Sequence, residues 1–382
     1  MNLIALTLAL GCPPPVTTDD TSDTETDADT DTDADTDADT DTDADTDTDT
    51  DTDTDLPEHV GAVFTTSNNE VGSLAVVDLG TQSVTEPADV ASDAAVHAED
   101  GKVYVIGRYG FDYVRVYEPG SWSAPELEFS VVAGGNPQDL EVCADKLFVS
   151  LYGSDQIGVY QASTGNVIGS VDLSAYDDGD GVGPEATQLV EIDGKLYVAL
   201  NRLDRAGSWG SVGGKVVEID CATDTATQAW DIGGNTSISA WEGSGQLFVA
   251  HEAYGEVPAG LSVLDPVAGA FSTVISYDAW TTQPESAVEA EGQVLVTMRD
   301  ASYNYGWQCF DAVSWEASGE ATWTNWALGP AARSSQGQAW IPAGTHWTNV
   351  ADQVGAVVVD PVDCAELGVV STALGGTSVA LY

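Results

Sequence analysis

A short acidic segment has the clearest local pattern of candidate metal ligands in this sequence. It reads YDDGDGVGPE over residues 176–185, so that Asp177, Asp178 and Asp180 alternate with glycines. Carboxylate oxygens on a backbone that turns tightly are what hard cations such as calcium require. The D-x-D-x-D-G order of an EF-hand is missing, because Val182 stands where a further ligand belongs. The segment predicts either a calcium site or an ordinary acidic loop.

Further acids occur near prolines in similar local contexts. Asp139, Glu185 and Glu285 belong to the tripeptides PQD, PEA and PES, and Asp93 and Arg333 fall at comparable places elsewhere in the chain. If these residues surround one opening, the carboxylates raise one another's pKa unless a cation joins them. The set predicts either a bound calcium or other hard ion, or simple solvated acids.

Catalytic signatures are missing from the sequence. There is no G-x-S-x-G, P-loop or H-E-x-x-H motif, and His59, His97, His251 and His346 have no ligand spacing. These histidines are therefore predicted to be hydrogen-bonded structural residues. The late tryptophans could form an aromatic platform for a sugar or peptide, or pack between structural units; they are Trp307, Trp315, Trp323, Trp326, Trp340 and Trp347.

The elements that position these residues form a repeat. One short apolar strand recurs seven times after a turn, at intervals of 40 to 51 residues. Its copies are GAVFTTSNN from Gly61, GKVYVIGRYG from Gly101, DKLFVSLYG from Asp145, GKLYVALNR from Gly194, GQLFVAHEA from Gly245, GQVLVTMRD from Gly292 and GQAWIPAG from Gly337.

Each copy has the same neighbours. A second strand follows and closes on a turn, which has Asp or Glu at positions 78, 118, 220, 265 and 360. A variable third strand comes next, and a fourth strand precedes each copy except the first. No stretch shows a sustained helical period. Four short strands per unit, seven times over, predict an all-β, seven-bladed β-propeller.

The last residues of the chain supply the missing strand. GGTSVALY at residues 375–382 parallels segments that lead into the innermost strand of other units. We therefore expect this C-terminal strand to pair with GAVFTT from Gly61 and complete the first blade, which removes two exposed sheet edges.

The repeat resembles the YVTN/YncE-like propellers of bacterial and archaeal surface proteins. The segment GGNPQDLEVCADKLFVSLYGSDQIGVYQASTGNVIGSVDL, residues 134–173, has that family's Gly-x-Pro entrance, LYV-type strand and Val/Ile-rich outer strand, and GKLYVALNR and VVEIDCATD repeat the match in the next unit. The resemblance covers residues 56–382 and implies the fold. It says little about function, because propellers serve many chemistries.

The N-terminal region differs in composition from the repeats that follow it. MNLIALTLALGC resembles a bacterial lipoprotein signal, which implies that residues 1–12 are a signal peptide and that Cys12 is lipidated. The alternative is a cytosolic protein with an apolar first turn. Residues 13–55 are an Asp/Thr-rich tract predicted to be a disordered acidic linker, acting as a spacer or a loose collector of calcium. Residues 56–382 are the predicted propeller domain.

Charge and cysteine content restrict the partners. The sequence has 63 Asp and Glu against 10 Lys and Arg, a net charge of −53, which disfavours nucleic acid and anionic lipid surfaces. Cys143, Cys221, Cys309 and Cys364 have no CxxC spacing. In an exported domain they predict two disulfides with three open pairings, and otherwise free buried thiols.

Together these features predict a monomeric lipoprotein of the bacterial cell envelope, attached to the membrane only by its lipid. Its propeller is predicted to bind an unidentified protein or small molecule, with calcium as the one candidate cofactor and the channel mouth as the site. The alternative is a propeller enzyme, either a metal-assisted hydrolase or a lactonase.

Overall fold

The computed structural model describes residues 58–277, 282–345 and 354–382. Cys12, the Asp/Thr-rich tract and His346 lie outside the described residues. Within them, seven antiparallel sheets follow one another along the chain, which confirms the predicted all-β propeller.

The first four blades have the four-stranded order expected from the repeat. Blade 1 contains β1 (Gly61–Ser67), β2 (Gly72–Asp78) and β3 (Val84–Val90). Blade 2 contains β4 (Ala94–Glu99), β5 (Lys102–Gly107), β6 (Tyr113–Tyr117) and β7 (Leu127–Ser130). Blade 3 contains β8 (Pro137–Cys143), β9 (Lys146–Leu151), β10 (Gln156–Gln161) and β11 (Val167–Asp172). Blade 4 contains β12 (Ala186–Ile192), β13 (Lys195–Leu200), β14 (Lys215–Asp220) and β15 (Thr225–Asp231).

Blade 5 has the same order, whereas blade 6 has a short outer strand and blade 7 has a divided inner strand. Blade 5 contains β16 (Gly234–Trp241), β17 (Gln246–Glu252), β18 (Ala259–Asp265) and β19 (Ala270–Tyr277). Blade 6 contains β20 (Thr282–Ala290), β21 (Gln293–Asp300), β22 (Tyr305–Asp311) and the short β23 (Thr322–Thr324). Blade 7 contains β24 (Trp326–Leu328), β25 (Ala332–Arg333), β26 (Ala339–Thr345), β27 (Ala356–Asp360) and β28 (Ala365–Val370). Its inner strand is divided into β24 and β25, and Pro330, which has no N–H to donate, lies between the two parts.

The final strand, β29 (Gly375–Leu381), is the innermost strand of blade 1. It pairs with β1 in the register Ala62 to Leu381 and Phe64 to Val379. The backbone N–H of Tyr382 donates to the carbonyl of Gly61 at 3.0 Å, and the N–H of Gly61 donates back at 3.1 Å. The predicted closure of the ring by the C-terminal segment is confirmed.

The apolar core lies between blades. Each of seven buried clusters joins residues of one blade to residues of the next, and the cluster of Phe64, Trp340 and Leu381 joins blade 7 to blade 1. The second strand of each blade is buried on both faces, whereas outer strands such as β3 and β11 are largely exposed. A continuous apolar run in the second strand is therefore the sequence signal of a strand sandwiched between blades.

Two disulfides fasten neighbouring blades. Cys143 of blade 3 bonds to Cys221 of blade 4, and Cys309 of blade 6 bonds to Cys364 of blade 7. This resolves the three pairings that the sequence left open. Paired cysteines are typical of proteins that fold outside the reducing cytoplasm.

Helix is minor in the described ranges, where the structure has a 3-10 turn at Ser174–Tyr176. Among these residues, no helical segment has the length and hydrophobicity needed to span a bilayer.

Candidate functional site

The seven inner strands line a central channel. Neighbouring inner strands contact one another all the way round, including β29 with β4 and β25 with β29. We call the face where these strands begin the start face, and the face where they turn into the second strands the end face.

A cavity of about 290 Å³ occupies the channel at the end face. Small apolar residues from several inner strands form much of its wall, and polar groups are interspersed among them. The polar lining residues are His59, His97, Ser239, Glu242 and Arg333. The cavity is therefore large enough for a small ligand and offers it charged groups.

On one side of this cavity, four ionisable side chains meet between blades 2 and 3. Side chains two apart on a strand point the same way, so that β4 presents His97 and Glu99 while β8 presents Asp139 and Glu141. His97 Nε2 lies 3.5 Å from Glu99 Oε2 and 3.8 Å from Glu141 Oε2. His97 Nδ1 lies 3.8 Å from Asp139 Oδ1. We call these four residues the His97 cluster.

Backbone groups fix two members of the His97 cluster. Asp139 accepts hydrogen bonds from the N–H groups of Leu140 at 2.9 Å and Leu189 at 3.0 Å. Glu99 Oε2 accepts one from the N–H of Val142 at 2.6 Å. The carboxylates are thus held across blade boundaries, so the cluster is organised by the ring as a whole.

The His97 cluster is electrostatically unbalanced. Burial raises the pKa of Glu141 well above its usual value, and the negative charges of Glu99 and Asp139 raise it further. Burial also raises the pKa of Asp139, against the opposing effect of His97. Burial alone would lower the pKa of His97, but Glu141, Glu99 and Asp139 outweigh it and raise that pKa to about 9. Three acids around one base favour the arrival of a further positive charge.

The opposite side of the cavity carries a cation between two acids. Arg333 Nη1 lies 3.5 Å from both Glu242 Oε2 and Glu289 Oε2. Nearby, His59 accepts a hydrogen bond at Nδ1 from the N–H of Ser335 at 2.9 Å, and burial lowers its pKa. His59 therefore has the structural environment expected for an isolated histidine.

His251 also has that environment, whereas His97 does not. His251 is fully buried, its Nε2 lies 2.8 Å from Ser262 Oγ, and burial lowers its pKa to about 4. His97 instead has an Nε2 atom that is buried and makes no hydrogen bond.

At the start face, three of the predicted carboxylates each have an arginine. Asp93 Oδ1 accepts from Arg108 Nε at 2.7 Å. Glu185 Oε1 lies 3.5 Å from Arg205 Nη1. Glu285 pairs with Arg299, which also donates to Glu252 at 2.8 Å. Each of these three carboxylates therefore lies beside a cation, whereas the three carboxylates of the His97 cluster share one histidine.

The five predicted channel-mouth residues do not meet at one opening. Pro137 pairs with Leu151 and Pro284 with Met298 at equivalent positions, but the residue at that position in blade 4 is Ala186, paired with Leu200. The PEA tripeptide is therefore shifted by two residues relative to PQD.

Asp139 and Arg333 consequently lie away from the other three. Asp139 falls within a bulge of β8, deeper in the channel than Glu185 and Glu285. Arg333 pairs with Ala339 near the end face. Bulges and a register shift separate residues that look alike in the sequence.

The acidic loop lies at a second cavity, of about 260 Å³, on the surface. Asp177, Asp178 and Asp180 bring ligand atoms within 4.8 Å of one another. Each accepts the N–H two residues further on, at 3.1, 3.0 and 2.8 Å. Asp180 also accepts the N–H of Arg205 at 3.0 Å. Backbone donors thus organise this loop, and its calcium site stays a prediction.

The late tryptophans divide between core and surface. Trp307 and Trp340 are buried between blades, with Trp340 6.0 Å from Phe64 by ring centroids, whereas Trp323 is exposed. Packing accounts for the first two.

Comparisons with solved structures place this geometry in a known fold. A candidate 6-phosphogluconolactonase from Bacteroides fragilis aligns with a TM-score of 0.62 at 9% identity, covering 85% of this chain and 98% of its own. Hydrazine synthase from Kuenenia stuttgartiensis aligns at 0.56 and 15%, covering 84% and 97%. Apo AztD from Citrobacter koseri aligns at 0.51 and 12%, covering 85% and 98%.

These similarities establish the propeller fold and carry no function across, because the identities are so low. No protein-family model matches the sequence, and neither does any curated protein.

Sequence reasoning missed Glu99, Glu141, Glu242 and Glu289. A signal for the first two was present: VHAE and DLEV place charged residues two apart on inner strands of adjacent units. Combining that spacing with the propeller topology would have brought them together.

Proposed function

We propose that this protein is an exported binding module of the bacterial cell envelope that holds a cationic ligand at the end face of its channel. The observation that carries the proposal is the His97 cluster, in which three carboxylates surround one histidine that lines the 290 Å³ cavity. A cation entering there would relieve the repulsion between Glu99, Asp139 and Glu141.

The net charge supports a cationic ligand, and the disulfides support a location outside the cytoplasm. A net charge of −53 attracts cations at long range, and the two disulfides suit an oxidising compartment. In this proposal Cys12 carries the lipid that anchors the protein to the membrane. Residues 13–55 then act as the spacer between the anchor and the propeller.

Calorimetric titration with arginine and spermidine tests the binding function. We expect Glu141→Gln to weaken binding about 10- to 100-fold, because it removes a buried charge from the site. The matched control is Glu285→Gln, which removes a carboxylate from the start face. Equal effects of the two variants, or no binding of any cation, would contradict the proposal.

The alternative function, a metal-assisted hydrolase or lactonase, would use the same cavity. His97 lines it, so an ion held there would be open to a small substrate. Turnover on a panel of lactones and esters that disappears in Glu141→Gln would favour the enzyme over the binding module.

A further inference from the structure

We propose that His97, Glu99 and Glu141 bind a divalent transition-metal ion such as Zn²⁺. This inference rests on the proposed function, because it names the cation that the end face takes. One nitrogen and two oxygen ligands come from two adjacent inner strands, and the three ligand atoms lie within 4.8 Å of one another.

The spacing suits a small tetrahedral ion. Metal bonds of about 2.1 Å place neighbouring ligands of a tetrahedral site about 3.4 Å apart. His97 Nε2 lies 3.5 Å from Glu99 Oε2 and 3.8 Å from Glu141 Oε2, so small side-chain movements would complete the geometry.

Two features of the surroundings of His97 suit it to be a metal ligand. Its Nε2 atom is buried, makes no hydrogen bond and lies among carboxylates, so an arriving ion would take the place of the proton on that nitrogen, which leaves to solvent. Its Nδ1 atom lies 3.8 Å from Asp139 Oδ1. A carboxylate beyond the non-ligating nitrogen is the usual partner of a metal-bound histidine, since it holds the ring and its tautomer.

Asp139 is itself fixed, because it accepts the N–H groups of Leu140 and of Leu189 from blade 4. Asp139 is therefore a positioning residue: it would not contact the ion, and it would act only by holding the ring of His97.

The ligand set distinguishes the class of ion. Calcium and magnesium prefer oxygen ligands only, whereas imidazole favours zinc and the later first-row metals. The side chains of His97 and Glu141 are only 20% and 12% exposed, so bulk water cannot satisfy them. The adjoining cavity gives an ion its route of access and leaves a coordination position for water or a second ligand.

Metal titration of the full, untagged chain tests the site. After EDTA treatment, Co²⁺ is added and its visible absorption recorded, and Zn²⁺ affinity is measured against a chromophoric chelator in excess calcium. The excess calcium is there to saturate any weak cation binding by the carboxylates of the acidic tract and of the loop at Asp177–Asp180. We expect one Co²⁺ with a tetrahedral spectrum, displaced by Zn²⁺.

The variants separate ligands from neighbours. Glu141→Gln and His97→Gln should each abolish the tetrahedral spectrum, Asp139→Asn should weaken Zn²⁺ binding 10- to 100-fold, and Glu285→Gln should leave both unchanged. Glu141→Gln is isosteric, and its melting curve checks that it folds.

Two results would overturn the inference: a Co²⁺ spectrum indifferent to both ligand variants, or Zn²⁺ bound no more tightly than calcium. If arginine or spermidine still bound in a manner sensitive to Glu141→Gln, the proposed function would stand without the metal. If neither metal nor organic cation bound, both proposals would fall.

Discussion

Glu185 shows how one residue in this ring couples charge to stability. Its side chain has no exposed surface, and Oε2 accepts the N–H of Leu203 at 2.9 Å. Burial raises its pKa to about 7, with the Leu203 hydrogen bond and Arg205 opposing the shift and Asp180 and Asp178 adding to it. The folded protein therefore keeps a proton on Glu185 that the unfolded chain releases at lower pH.

The sign of the pH dependence follows. Between the usual carboxyl value of about 4.5 and a pKa of about 7, the folded state binds more protons, so stability falls as pH rises. Measured against Glu185→Gln, the wild type should lose about 3 kcal/mol of unfolding free energy from pH 4 to pH 8. Urea unfolding at several pH values measures it.

Glu70→Gln, in an exposed turn, is the matched control for loss of one carboxylate. A difference between wild type and Glu185→Gln that stays constant with pH would contradict this assignment.

The sequence predicted the strands of this fold better than it predicted which side chains meet. The repeated strands predicted the fold because their apolar runs reflect burial between blades. Asp139 and Glu185 looked equivalent beside their prolines, but one-residue bulges and a two-residue shift separated them. The contact of Glu99 with Glu141 crosses a blade boundary, so the pattern within either strand alone does not predict it.

Strand β29 is the element on which closure of the ring depends. Val379, Ala380 and Leu381 are buried, and Tyr382 packs its ring 5.2 Å from that of Trp122 by centroids. A side chain at position 61 would collide with Tyr382, because a Cβ there would lie 2.2 Å from the tyrosine oxygen. Blade 1 without β29 would expose the edge of β1.

Deleting residues 375–382 should lower the melting temperature by about 5–10 °C, because it removes buried aliphatic area and a ladder of hydrogen bonds. Differential scanning calorimetry measures the loss. A synthetic peptide of the same eight residues should restore part of it by strand addition. An unchanged melt would show that β29 contributes nothing to the ring.

Pro330 illustrates what the sequence revealed about elements and what it did not. The sequence predicted four strands in every unit, whereas β23 has only three residues and the inner strand of blade 7 is divided. Proline alone did not predict the place of the division, because Pro137 and Pro284 lie in the inner strands β8 and β20 without dividing them.

At the scale of the whole molecule, stability is distributed over seven boundaries between blades. The disulfides fasten two of them, closing loops of 78 and 55 residues. Each bond restricts the unfolded chain, and loops of this length are associated with about 2–4 kcal/mol of stabilisation.

Cys143→Ser with Cys221→Ser, and separately Cys309→Ser with Cys364→Ser, should each lose about that amount in urea unfolding. Dithiothreitol, which reduces both bonds, should destabilise the wild type by about the sum of the two losses and leave a variant lacking both bonds unaffected. Free thiols in the unreduced protein, detected by alkylation and mass spectrometry, would contradict the pairing.

The pairing of β1 with β29 has a consequence for how the molecule forms. Thr65 and Thr377, whose hydroxyls lie 2.9 Å apart, are separated by 312 positions. Such distant partners meet late and slowly, since the intervening chain must first be gathered in. Among the described strands, the first to be synthesised therefore pairs only after the last has been made, and a circularly permuted chain that joins these two at a short turn should fold faster.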